Sequence, residues 1–167
     1  MHVVVAQEED FAPWLDLAAE VEHLFGPLVN DPGFHQALEK NIARGTACCV
    51  RQGDGPPGTP LIGGLLFSPH PPRYTIGWLA VSERHRRRGV ARLLVEHVLG
   101  LVVPPAVVTV TTFGPGVPAG EPARRFYERM GFHAAEMALP GPEGGSRQVF
   151  HRILVHGAGS GDPARAR

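Results

Sequence analysis

The chain has 167 residues, of which 43% are hydrophobic and 19% charged, a composition that excludes general disorder. Sixteen basic and sixteen acidic residues cancel, so there is no overall positive field to gather nucleic acid or an anionic membrane surface. No apolar run approaches the roughly 20 residues of a membrane span, and the first residues do not read as a secretory signal.

Valine-rich Met1–Ala6 predicts a first strand. Asp10 and Pro13 mark a helix start, and Trp14, Leu17, Ala18, Val21, Leu24 and Phe25 recur at helical spacing until Gly26-Pro27. A second helix fits Phe34 to Ala43. Thr46–Arg51 and Leu61–Phe67 read as strands joined by a Gly/Pro turn cluster, followed by a rigid loop at Ser68–Pro72. Tyr74–Val81 reads as a buried strand. A basic turn, Glu83 to Arg88, leads into a helix from Gly89 to Gly100 with Val90, Leu93, Leu94, His97, Val98 and Leu101 on its apolar side. Val107–Thr112 is β-branched and reads as a strand. A loop over 113–120 precedes a short helix, Pro122–Met130. His133–Leu139 and Gln148–Val155 are the last strands, with a turn over Pro140–Ser146 between them. The order β-α-α-β-β-β-α-β-α-β-β predicts one α/β domain over residues 1–155, with a disordered tail over 156–167.

The two cysteines, Cys48 and Cys49, are adjacent, so on a strand they point to opposite faces and read as buried free thiols of a reducing compartment. Nine histidines lack ligand spacing, and neither CxxC nor HExxH occurs, so no metal site is expected.

The chemistry concentrates where a buried strand ends in an arginine-rich turn and a helix opens at a glycine. The first turn of a helix carries unpaired N–H groups and the positive end of the macrodipole, a geometry that binds phosphate. Gly89 lets a bulky anion approach the backbone, and Arg86, Arg87, Arg88 and Arg92 flank it with positive charge. Neither a Walker loop nor a dinucleotide fingerprint is present. The simpler alternative is a solvated basic turn.

A second motif follows the next strand. Together, Arg86-x-x-Gly89-x-Ala91 and Ala123-x-x-Phe126-Tyr127-Glu128-x-x-Gly131-Phe132 resemble the paired motifs of the GNAT N-acetyltransferases. The resemblance implies a mixed, mostly antiparallel sheet of about seven strands with a splayed parallel pair and about four flanking helices. It implies acetyl-CoA in the opening between the Tyr74–Val81 and Val107–Thr112 strands. Leu79, Ala80 and Val81 would meet the pantetheine and the thioester. The backbone of Arg86, Arg87, Arg88, Gly89, Val90 and Ala91, with Arg92 nearby, would hold the pyrophosphate. Phe126 would pack beside the cofactor arm. Tyr127 stands where the family's tyrosine protonates the departing thiolate; the simpler alternative is a core aromatic whose hydroxyl reaches water. Phe126 and Phe132 also read as core, and Glu128 and Arg129 as solvent-facing.

The chain departs from the family pattern twice. Gly120 stands where many relatives carry asparagine. Thr75 and Gly77 stand where several carry a general base. Glu22, His23, His35, His70 and Glu121 are the remaining base candidates. The acceptor region implied by the resemblance comprises Glu22, His23, Phe25, Leu28 and Val29, with Phe34 and Trp78 as aromatic walls. The expected partner is a small-molecule or peptide amine, in the cytoplasm, without nucleic acid or membrane. A homodimer through Gln148–Val155 as an edge strand is a further expectation by analogy. The alternative is a non-catalytic acyl-CoA-binding or protein-interaction domain of the same fold.

Overall fold

A computed structural model describes residues 1–142 and 144–156. The elements are β1 (Val4–Val5), α1 (Phe11–Phe25), α2 (Pro32–Arg44), β2 (Ala47–Arg51), β3 (Leu61–His70), β4 (Arg73–Val81), α3 (Val90–Leu101), β5 (Ala106–Phe113), α4 (Glu121–Arg129), β6 (His133–Ala138) and β7 (Arg147–Leu154). This is the order expected. Apart from His156, the expected tail lies outside the described residues.

The strands form one sheet in the order β1-β2-β3-β4-β5-β7-β6. Neighbours are antiparallel except β4 and β5, which run parallel because α3 crosses over between them. Helices α1 and α2 cover one face through Trp14, Leu17, Val21 and Leu38, while α3 and α4 cover the other through Leu94, Val98 and Tyr127. Cys48 and Cys49 belong to opposite core clusters, as alternation along a strand requires, and both are free thiols. Neighbouring glycines on β3 bring both layers close. A Cβ on Gly63 would lie 2.6 Å from Val90 of α3, and one on Gly64 would lie 2.8 Å from Trp14 of α1.

Several boundaries differ from expectation. The first strand is only Val4–Val5, because the Gln7 amide already turns back to donate to Asp10 Oδ2 at 2.8 Å. Ser68–Pro72 is not a loop throughout: β3 runs on to His70 and pairs with β4. Beyond Leu66 it has no ladder to β2, so Pro69 lies in an edge segment where a missing N–H costs nothing. On α3, Val95 is fully buried, whereas Leu101 is 51% exposed. The strand expected at the edge, β7, lies between β5 and β6, and β6 is the edge strand. Sequence order misled there, because the last hairpin inserts its second strand against β5.

The start of α1 is fixed by a buried ion pair. Arg51 donates from Nε to Asp10 Oδ1 (3.0 Å) and from Nη2 to Asp10 Oδ2 (2.7 Å), and the Gly58 amide adds a third bond. Burial would raise the Asp10 pKa, but these partners and the Gln7 amide overcome it and hold the carboxyl below its ordinary range.

Candidate functional site

The site begins where β4 and β5 part. Their parallel ladder runs from Arg73↔Val107 to Ile76↔Val110 and stops. At the same place Gly77 is an extra residue in the β3–β4 ladder, between the pairs Phe67↔Ile76 and Leu66↔Trp78. Such a bulge bends a strand and raises its twist. The rest of β4 therefore swings away from β5, leaving the N–H and C=O groups of Leu79–Val81 on that side without ladder partners. The opening is a cleft of about 1460 Å³.

One end of the cleft is built to receive an anion. Gly89 precedes the first residue of α3 in the left-handed conformation (φ 80°), and Arg87 two residues earlier also has positive φ (62°). A non-glycine residue in that region is strained by roughly 1 kcal/mol or more and marks a constrained turn. The curled loop leaves the amides of Arg86 to Ala91 without an acceptor among the described residues, and no side chain caps the helix. Nothing lies within 4 Å of the position a Gly89 Cβ would take. Unpaired amides, a helix N-terminus and adjoining guanidinium groups in front of open space fit a pyrophosphate.

Leu79, Ala80, Val81, Arg86, Arg87, Gly89, Val90, Ala91, Arg92, Phe126 and Tyr127 all line the cleft. Arg88 is exposed and does not, so of the expected arginines only its side chain is turned away. Arg92 is held by Glu96 one turn along, at 2.7 Å. Arg129, expected to face only solvent, borders the cleft, as does Arg152 from β7. Arg124 points inward, donating to the Phe113 carbonyl and to Gln148 Oε1, with its guanidinium 5.1 Å from the centre of the Phe150 ring.

Tyr127 reaches the cleft from α4. Its ring packs edge-on against Phe126 (5.1 Å) and Phe132 (5.5 Å), and the residue is 5% exposed. Burial pushes the phenol pKa up from its ordinary value, so the hydroxyl stays protonated at neutral pH.

At the other end, Phe25, Leu28 and Trp78 line the cleft together with Phe113, which the sequence did not single out. Phe25 and Phe113 stack at 5.8 Å and 22°, joining the end of α1 to the end of β5. Phe34 lies behind Trp78, at 5.6 Å between ring centres.

None of the five candidate bases lines the cleft. Glu22 accepts the Leu28 amide at 3.1 Å and so shapes the segment between α1 and α2. His35 donates from Nε2 to the Val29 carbonyl. Glu121 pairs with Arg125, His23 is exposed, and His70 lies at the hairpin tip, at the far end of β4. Among the described residues there is no group of titratable side chains able to hold a metal. No helix there is long and apolar enough to cross a membrane.

The topology and the cleft define an acyltransferase fold whose splayed parallel strands open beside an arginine-rich turn at a helix N-terminus. The sequence model of the acetyltransferase (GNAT) family matches residues 5–132, and the chain belongs to that family. Solved structures agree in fold. A GNAT-family acetyltransferase from Bacillus cereus superposes with TM-score 0.70 at 17% identity, over 92% of this chain and 97% of that one. A putative GNAT-family acetyltransferase from Desulfovibrio desulfuricans gives 0.69 at 21%, over 91% and 96%. PaiA N-acetyltransferase from Thermoplasma acidophilum, in complex with coenzyme A, gives 0.72 at 10%, over 92% and 98%. No curated protein matches the chain significantly.

Proposed function

We propose that the protein is an acetyl-CoA-dependent N-acetyltransferase acting on a primary amine of a small molecule or a peptide. The observation that carries this reading is the run of unpaired amides from Arg86 to Ala91 bordering the cleft that Tyr127 also lines. Coenzyme A bound to the PaiA neighbour supports the same ligand here.

The amides of Arg87 to Ala91 hold the pyrophosphate, and Arg86, Arg87 and Arg92 offset its charge. The freed backbone of Leu79–Val81 aligns the pantetheine and polarises the thioester carbonyl, and Phe126 packs against the arm. Acetyl-CoA supplies an activated acetyl group: the amine nitrogen bonds to its carbonyl carbon, the carbon–sulfur bond breaks, and the thiolate leaves with the electron pair. Tyr127, kept protonated by burial, donates its hydrogen to that sulfur. Because a thiol is a stronger acid than this phenol, the gain comes from hydrogen bonding to the developing thiolate, about 10–100-fold in rate.

Calorimetric titration with acetyl-CoA tests the binding half, and coenzyme A release with a panel of amines tests the transfer half. Binding without release from any amine would instead favour the non-catalytic alternative, which draws support from Thr75 and Gly77 at the positions of a base.

A further inference from the structure

The aromatic end of the cleft carries a statement about the acceptor, which rests on the transferase reading above. The geometry points to an acceptor whose primary amine is carried on an aromatic or branched apolar group, with Phe25 and Phe113 as the residues that select it. Phe25, Pro27, Leu28, Trp78 and Phe113 form this end of the cleft. The Phe25–Phe113 stack fixes one side and Trp78, backed by Phe34, fixes the other.

Charge argues the same way. Among the described residues that line the cleft, the carboxylates are Asp31 and Glu96. Glu96 is held by Arg92 at the anion end. Asp31 caps the start of α2, its two oxygens accepting the amides of Gly33 and Phe34, so part of its charge is committed to that helix end. Asp31 alone is fewer carboxylates than the second and third ammonium groups of a polyamine or an aminoglycoside require. A single amine is a different matter. Apolar surroundings disfavour its charged form, so the free base that attacks is favoured by the wall itself. The aromatic rings thus do part of the work of a general base, while water accepts the proton.

The test compares kcat/KM for 2-phenylethylamine and for a short peptide beginning with phenylalanine against spermidine and kanamycin. At least a tenfold preference for one of the aromatic acceptors is expected, and the better of those two says whether the amine is free or a peptide terminus. Equal or faster turnover of spermidine or kanamycin overturns the inference while leaving the transferase reading intact. Phe25→Ala is expected to raise KM for the aromatic acceptor about tenfold with the acetyl-CoA affinity unchanged, and Phe25→Leu to restore part of it. An unchanged KM in both variants removes Phe25 from recognition and overturns its assignment. If no amine is acetylated, quenching of tryptophan fluorescence decides, since Trp78 is in the wall. Saturable quenching of the coenzyme A-loaded protein by 2-phenylethylamine upholds the aromatic site and sinks the transferase reading. Absence of quenching sinks both.

Discussion

A Cβ built on Gly120 would lie 2.1 Å from the Cβ of Phe113, so the glycine and the phenylalanine are a matched pair. The asparagine that relatives place at this position has no room here, because Phe113 occupies its space and turns to stack on Phe25. The departure seen in the sequence is therefore a change in the wall of the cleft and not simply a lost polar contact. Gly120→Asn is expected to displace Phe113 and to cost about 1–3 kcal/mol by overpacking. Thermal unfolding measures the cost, and a rise in acceptor KM reports the disturbed wall.

Gly89→Val is expected to weaken acetyl-CoA binding more than tenfold. A branched residue at φ 80° is strained, and its side chain enters the space in front of the unpaired amides. Calorimetry reads the affinity, and circular dichroism checks that the fold survives. Undiminished affinity in a folded variant would move the pyrophosphate elsewhere.

Tyr127→Phe is expected to lower kcat about 10–100-fold with the acetyl-CoA dissociation constant unchanged. The ring contacts to Phe126 and Phe132 remain, so the variant isolates the hydroxyl. Full activity would leave Tyr127 as a core aromatic.

The Asp10–Arg51 pair predicts two effects. Arg51→Met leaves a buried carboxylate uncompensated and is expected to cost about 3–5 kcal/mol in denaturant unfolding. The pair also shapes the acid limb of stability. Since the folded Asp10 pKa lies below its ordinary value, its contribution is present above that ordinary value, 3.8, and is lost as pH falls through the folded one. Asp10→Asn should flatten that limb.

The buried thiols predict the alkaline limb. Burial raises Cys48 to about 11 and Cys49 to about 12, from an ordinary 9.0. The folded state then binds more protons than the unfolded state above pH 9, so stability falls with rising pH from there. Replacing both cysteines with valine should flatten the fall. At pH 8 neither thiol should react with a disulfide reagent in the native protein, so thiol titration during turnover reads coenzyme A alone.

Local signals carried most of the fold. Hydrophobic periodicity placed α1 and α3, and the β-branched run 107–112 placed β5, because each element's own residues dictate its burial. The anion end was equally legible, since Arg86 to Ala91 are contiguous and their geometry is local to one turn. What the sequence hid was long-range. Asp10 and Arg51 are 41 residues apart, and nothing in either segment announces their pairing. Phe113 read as the edge of a loop because its partners, Phe25 and Gly120, come from other elements. The base candidates failed for the same reason: charge type is visible in sequence, while the direction each side chain faces is set by packing.

Among the described residues, the four residue pairs between β4 and β5 are the only ladder joining the N-terminal and C-terminal halves of the sheet. Thr75 and Thr109 add a side-chain contact across it at 3.3 Å. Beyond that seam the two halves face each other across the wedge, so a molecule lodged there would bridge them as a clasp does. Whatever binds only the folded wedge raises the unfolding temperature, with a stabilisation that grows as the logarithm of its free concentration over its dissociation constant. The lifetime of such a protein follows its ligand supply: without that ligand, the seam, the shared core and the Phe25–Phe113 stack hold the two halves together unaided.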